Sequence, residues 1–199
     1  MEFFYWEQAA VHRRVFGLLS YKAHYRAAGS RSKGDLTPNY SVLPPRRLEY
    51  VARLMPDAKL ILIVRHPVER TWSATRRLLP RYFKAVPSDA ETIIAFLERE
   101  SWIHEFSDYP AIVDRWARVY PKQALLVLSF DEIRNRPEQA LRRTCDHLGL
   151  TTDLDFSKFD LEARVNVNPE MAMPTAVHDY LRARYATILD EMTRRGLWS

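Results

Sequence analysis

The stretch Lys59-Leu-Ile-Leu-Ile-Val-Arg65, with Pro67 just beyond it, constrains the fold most. An unbroken aliphatic run between a turn at Pro56-Asp57 and a proline is the pattern of a strand buried on both faces of a parallel sheet. Pro67 suits the first position of a helix, since its missing N–H would be unpaired there anyway, and the spacing predicts that helix over roughly Pro67 to Leu79. A second such run, Gln123-Ala-Leu-Leu-Val-Leu-Ser-Phe130, lies well downstream. Parallel strands need long crossovers, usually helical, so the pattern predicts an α/β chain with a mostly parallel sheet flanked by helices.

Helical periodicity fills the intervals. Pro44 and Pro45 open a helix carrying Leu48, Val51, Ala52 and Met55. Ser88 is the expected N-cap of a helix through Glu100, and Pro110 starts another that ends near Pro121. Pro137 opens a helix to Leu148, with Gly149 as its C-terminal glycine. A last helix is expected from about Thr175 to Arg195. Glu7 to Ala28 has helical character, Gly34 to Tyr40 reads as a short extended piece, and Thr151 to Pro174 as irregular. With no repeat or linker, residues 1–199 read as a single domain.

Composition narrows the chemistry. There are only five glycines, none in a G-x-G-x-x-G arrangement. Gly29 and Gly34 have P-loop spacing, but Asp35 and Leu36 follow where Lys and Ser or Thr are required. The single cysteine, Cys145, excludes an internal disulfide framework and reads as a buried helix residue. The six histidines form no H-x-x-x-H pair, so no metal site is expected. The net charge is +5, and 24 of the 30 basic residues are arginine, the better fork for phosphate and sulfate. That balance fits an anionic ligand and equally fits nucleic acid. The paired arginines Arg13-Arg14, Arg46-Arg47, Arg76-Arg77 and Arg142-Arg143 read as solvated helix faces. Of the tryptophans, most read as core, with Trp102 a candidate for lining an acceptor pocket. No membrane-length apolar run and no signal sequence at Met1 are visible, and the expected location is cytoplasmic.

The stretch that carries chemistry is Arg65-His-Pro-Val-Glu-Arg-Thr-Trp-Ser73. Ligands of open α/β sheets bind where the strands end. A helix start carries unpaired N–H groups and a positive dipole end. Arg65 can add a bidentate bond to a phosphate, and Ser73 a hydroxyl.

This stretch, with the strand before it, resembles the 3′-phosphate motif of sulfotransferases, R-[ND]-P-x-x-R-x-x-S, from enzymes that use 3′-phosphoadenosine 5′-phosphosulfate (PAPS). Other elements resemble the same family in order. Glu2-Phe-Phe-Tyr-Trp6 resembles the end of K-E-x-x-F-F, and Gly34-Asp-Leu-Thr-Pro-Asn-Tyr40 resembles G-E-[KA]-[ST]-P-x-Y. Tyr109 to Trp116, Tyr120-Pro121 and Leu125 to Pro137 follow the family's later run, and His147-Leu-Gly-Leu150 its F-L-G-L. The resemblance implies a three-layer, P-loop-NTPase-like parallel sheet. It also implies transfer of a sulfuryl group from PAPS to a hydroxyl or amine of a small-molecule or carbohydrate acceptor, leaving adenosine 3′,5′-bisphosphate. By it, Arg65 and Ser73 bind the 3′-phosphate, and Arg164, with Asn166 and Asn168 nearby, stands about where a further 3′-phosphate loop is expected.

The departures also bear on function. His66 replaces the family's Asn or Asp. The family's first, central strand, its 5′-phosphosulfate loop with a lysine, and its glutamate base would all precede Met1. The expectation is therefore a domain incomplete at its N-terminus and missing that central strand. Glu2, near the base position, and His12 are the weak candidates for catalysis. The leading expectation is a sulfotransferase or its incomplete portion, and the alternative is a non-catalytic remnant binding adenosine bisphosphate or a partner chain; a basic nucleic-acid-binding protein ranks below both, and no nucleic-acid partner is expected, because no recognised nucleic-acid module is present.

Overall fold

A computed structural model describes residues 31–150 and 171–198, together with Ala23, Tyr25, Arg26, Gly29, Asp155 and 158–161. The chain divides into two compact units, Met1–Leu43 and Pro44–Ser199. In the first, the Gly34 to Tyr40 stretch is not a strand. It ends in a 3-10 turn, Pro38–Val42, in which Ser41 Oγ donates to the Pro38 carbonyl at 2.6 Å. Proline at the head of that turn fixes φ for a tight helix instead of a ladder.

The second unit holds helix α1 (Pro45–Leu54), strand β1 (Leu60–Val64), α2 (Pro67–Tyr82), α3 (Ala90–Arg99), the short α4 (Trp102–Glu105) and α5 (Tyr109–Ala117). Strand β2 (Leu125–Ser129), α6 (Phe130–Asn135), α7 (Pro137–Leu148) and α8 (Thr175–Arg194) follow. The strands pair in parallel from Leu60 opposite Leu125 to Val64 opposite Ser129. Tyr120 Oη donates to the Met55 carbonyl at 2.8 Å, tying the lead-in of β2 to the end of α1.

Burial of β1 on both faces is not what forms. Ile61 and Ile63 are 40% and 44% exposed, while Leu128, on the same sheet face by register, is 3% exposed. Cover on that face reaches β2 and stops short of β1. Among the described residues β1 is a sheet edge, and an aliphatic run alone cannot distinguish an edge from a centre.

The main core is helical. α2 turns Val68, Trp72, Leu78 and Leu79 against Ile93, Phe96 and Leu97 of α3 and Val177, Leu181 and Tyr185 of α8. The i, i+3, i+4 spacing of the buried α2 residues makes the apolar stripe that this packing needs. α2 runs past its expected end and contains Pro80. The helix loses one late hydrogen bond there, but Leu78 and Leu79 are buried and Phe83 N still donates to the Leu79 carbonyl at 3.0 Å. α3 is capped by Asp89, not Ser88: Asp89 Oδ1 accepts the Thr92 amide at 2.8 Å. α7 ends at Gly149 with φ of 68°, the left-handed conformation glycine adopts most readily. Cys145 is buried, as its helical spacing predicts. Arg195, just past α8, grips the Asp114 carboxylate of α5 with two bonds of 2.5 and 3.1 Å. Among the described residues no helix is long and apolar enough to cross a membrane.

Candidate phosphate site at the carboxyl end of the sheet

The strand register builds the site. Val64 lies opposite Ser129, so the residues that follow, Arg65 and Phe130, leave the sheet side by side. The Arg65 guanidinium carbon sits 4.8 Å from the centre of the Phe130 ring, within cation–π range. Ser129 Oγ accepts the Asp131 amide at 3.1 Å and starts α6 beside it. This is the end of the sheet at which open α/β folds take their ligands.

Arg65 is held at both ends. Its backbone N–H donates to Tyr109 Oη at 3.1 Å, and its Nη2 donates to Glu69 Oε2 at 3.3 Å. Glu69 and Ser73 are i, i+4 neighbours on one stripe of α2, and the ion pair draws Arg65 onto that stripe. Six residues at the helical rise put Ser73 about 9 Å along the axis from Pro67. An anion touching both Arg65 and Ser73 would therefore lie along the flank of α2, over Glu69.

At the tip, His66 is the cap residue but makes no side-chain capping bond, and among the described residues its buried Nδ1 has no partner. Its ring meets Trp198 edge-on at 5.1 Å. Burial is the main cause that pushes the His66 imidazole below its ordinary value; Glu69 and Asp131 act against that, while His178 and Arg182 add to it.

Under the stripe, α2 rests on the segment that includes α4. Arg70 Nη1 donates to the Ile103 carbonyl at 2.7 Å, and its guanidinium lies 4.9 Å over the Phe106 ring. Burial lowers the Arg70 pKa from its ordinary value, yet guanidinium stays charged at any working pH. Thr71 Oγ1 bonds Ser107 Oγ at 2.9 Å and Tyr185 Oη at 2.8 Å. Tyr185 Oη also meets His104 Nδ1 at 2.5 Å, and His104 Nε2 meets the Leu97 carbonyl at 3.2 Å. A carbonyl can only accept, so Nε2 carries the proton and Tyr185 donates to Nδ1.

Arg65 thus pairs with Glu69, one helical turn before Ser73 on α2. Glu2, His12 and Arg164, with Asn166 and Asn168, lie outside the described residues. Trp102 is exposed, with Nε1 donating to Glu100 Oε2 at 3.0 Å. Sequence reasoning gave no role to Phe130, Tyr109 or the buried Arg70. Phe130 could have been found by aligning the two strand ends. Tyr109 carries no periodic signal toward Arg65.

The profile of the sulfotransferase family matches residues 5–154. The chain belongs to that family. It is 24% identical over 127 residues to human bifunctional heparan sulfate N-deacetylase/N-sulfotransferase 2, covering 59% of this chain and 14% of that protein. It is 27% identical over 141 residues to the Xenopus laevis N-deacetylase/N-sulfotransferase 1, covering 62% of this chain and 15% of that one. The matched region thus spans about a seventh of these curated relatives. A sulfotransferase from Alicyclobacillus acidocaldarius superposes with a TM-score of 0.57 at 23% identity, covering 73% of this chain and 57% of the other. That likeness shows the sulfotransferase α/β fold, as the sequence resemblance implies.

Proposed function

We propose that the chain binds PAPS and moves its sulfuryl group to a hydroxyl or amine, with a carbohydrate amine or hydroxyl as the favoured acceptor class. The observation that supports this reading is Arg65, which directly follows a parallel strand and pairs with Glu69, one turn before Ser73 on α2, in a sulfotransferase-family chain. The two N-sulfotransferase relatives support the acceptor class.

In the reaction, the acceptor oxygen or nitrogen attacks sulfur and its proton passes to a base. The bond from sulfur to the 5′-phosphate oxygen breaks, and adenosine 3′,5′-bisphosphate leaves. Arg65 and Ser73 take the 3′-phosphate, which is remote from the breaking bond. Their contribution is positioning and binding, so their loss raises KM more than it lowers kcat. Glu69 is the ordinary counter-ion of Arg65, and the phosphate displaces it.

The test is transfer of labelled sulfate from PAPS to an N-deacetylated glucosamine polymer and to simple hydroxyl and amine acceptors. Transfer that falls steeply with Arg65→Ala at subsaturating PAPS is the expected result. Binding of adenosine 3′,5′-bisphosphate without transfer to any acceptor would favour the non-catalytic reading, and absence of both would overturn the proposal.

A further inference from the structure

Tyr109 is separated from Arg65 by 44 residues, yet its hydroxyl takes the Arg65 amide at 3.1 Å. That amide is the first beyond the β1–β2 ladder, which ends at Val64 and Ser129. In the turn that follows, the Arg65 side chain also pairs with Glu69 and stacks on Phe130. Pro67 has no N–H, and His66 contributes its carbonyl, which accepts the Arg70 amide at 2.8 Å, but no side-chain cap.

Tyr109 is a fixed post. Its ring is buried, Pro110 follows it, and Asp108 Oδ1 caps α5 by accepting the Ala111 amide at 3.2 Å. α5 is in turn gripped by Arg195 through Asp114. The same short segment meets α2 at two further points, the Ile103 carbonyl with Arg70 and Ser107 with Thr71. Residues 103–109 thus fix Arg65, Arg70 and Thr71 together, and the Tyr109 bond is the one made to Arg65.

We propose that Tyr109 is a positioning residue: its hydroxyl sets the backbone of Arg65, and through it the aim of the guanidinium at the 3′-phosphate. This rests on the reading of Arg65 given above.

The test compares the full chain with Tyr109→Phe in binding adenosine 3′,5′-bisphosphate and adenosine 5′-monophosphate, which lacks the 3′-phosphate. A merely structural role would weaken both ligands alike, by lowering the folded fraction. A positioning role lowers the preference for the bisphosphate by about three- to tenfold, the scale of one hydrogen bond, and leaves the monophosphate unchanged. If Tyr109→Phe does not fold, p-fluorophenylalanine at position 109 carries the same comparison, because it fills the hydroxyl's space with a poor acceptor. A wild-type preference retained in full by the variant overturns the role of Tyr109 alone. A wild-type chain with no preference overturns the phosphate reading and the role of Tyr109 with it.

Discussion

Arg65 carries two competing attachments, the Glu69 carboxylate and the Phe130 ring, before any ligand arrives. The ion pair is solvent-exposed, so it is worth no more than about 1 kcal/mol. A phosphate offering two oxygens to the guanidinium fork would form the stronger, charge-assisted pair. Glu69→Gln removes both the counter-ion and a repulsive charge beside the incoming phosphate. It is expected to tighten adenosine 3′,5′-bisphosphate by about two- to fivefold, measured by titration at low salt. Weaker binding in that variant would mean that Glu69 orients Arg65 productively. Arg65→Lys keeps the charge but loses the planar fork, and is expected to recover little of the affinity lost in Arg65→Ala.

At the scale of elements, α2 is the beam between core and site, and a buried hydroxyl–imidazole chain packs beneath it. His104 ordinarily titrates near 6.5 and is pushed down to about 4, mainly by burial, with the Arg184 and Arg70 charges adding and the Leu97 carbonyl opposing. The folded state therefore binds fewer protons than the unfolded chain between those values. Stability is full above pH 6.5, falls as pH drops toward 4, and levels off below that; the expected loss is about 2 kcal/mol by pH 5. Urea denaturation at pH 7 and pH 5 measures it, and equal midpoints would contradict it. Tyr185→Phe strips His104 and Thr71 of a shared partner and is expected to cost about 1–3 kcal/mol in the same assay at pH 7.

These elements were unevenly legible. Pro67, Pro137 and Gly149 mark helix ends by backbone chemistry, so their positions are readable from single residues. The end of α2 was not, because Pro80 signals a stop that the burial of Leu78 and Leu79 overrides. The α3 cap lies one residue beyond the expected Ser88, since Ser88 and Asp89 are both capping types and geometry chooses. The Thr71–Tyr185–His104 chain joins three distant segments and leaves no local trace.

For the whole molecule, a parallel strand pair with helices packed about it was readable from two apolar runs, and the family from the ordered motifs around them. The exposed face of β1 was not, since composition is blind to what covers a strand. The pairing of Arg65 with Glu69, which an anionic ligand at Arg65 would have to displace, was not readable either. The surplus of arginine over lysine suits such a ligand, but Arg65 is where the charge becomes directional.

The central claim is that Arg65 reads a 3′-phosphate, and calorimetric titration of adenosine 3′,5′-bisphosphate into the wild-type chain and Arg65→Ala tests it most directly. One site per chain is expected in the wild type, with a loss of about ten- to a hundredfold in affinity in the variant, the scale of a charge-assisted pair. Equal affinity in the two proteins would contradict it.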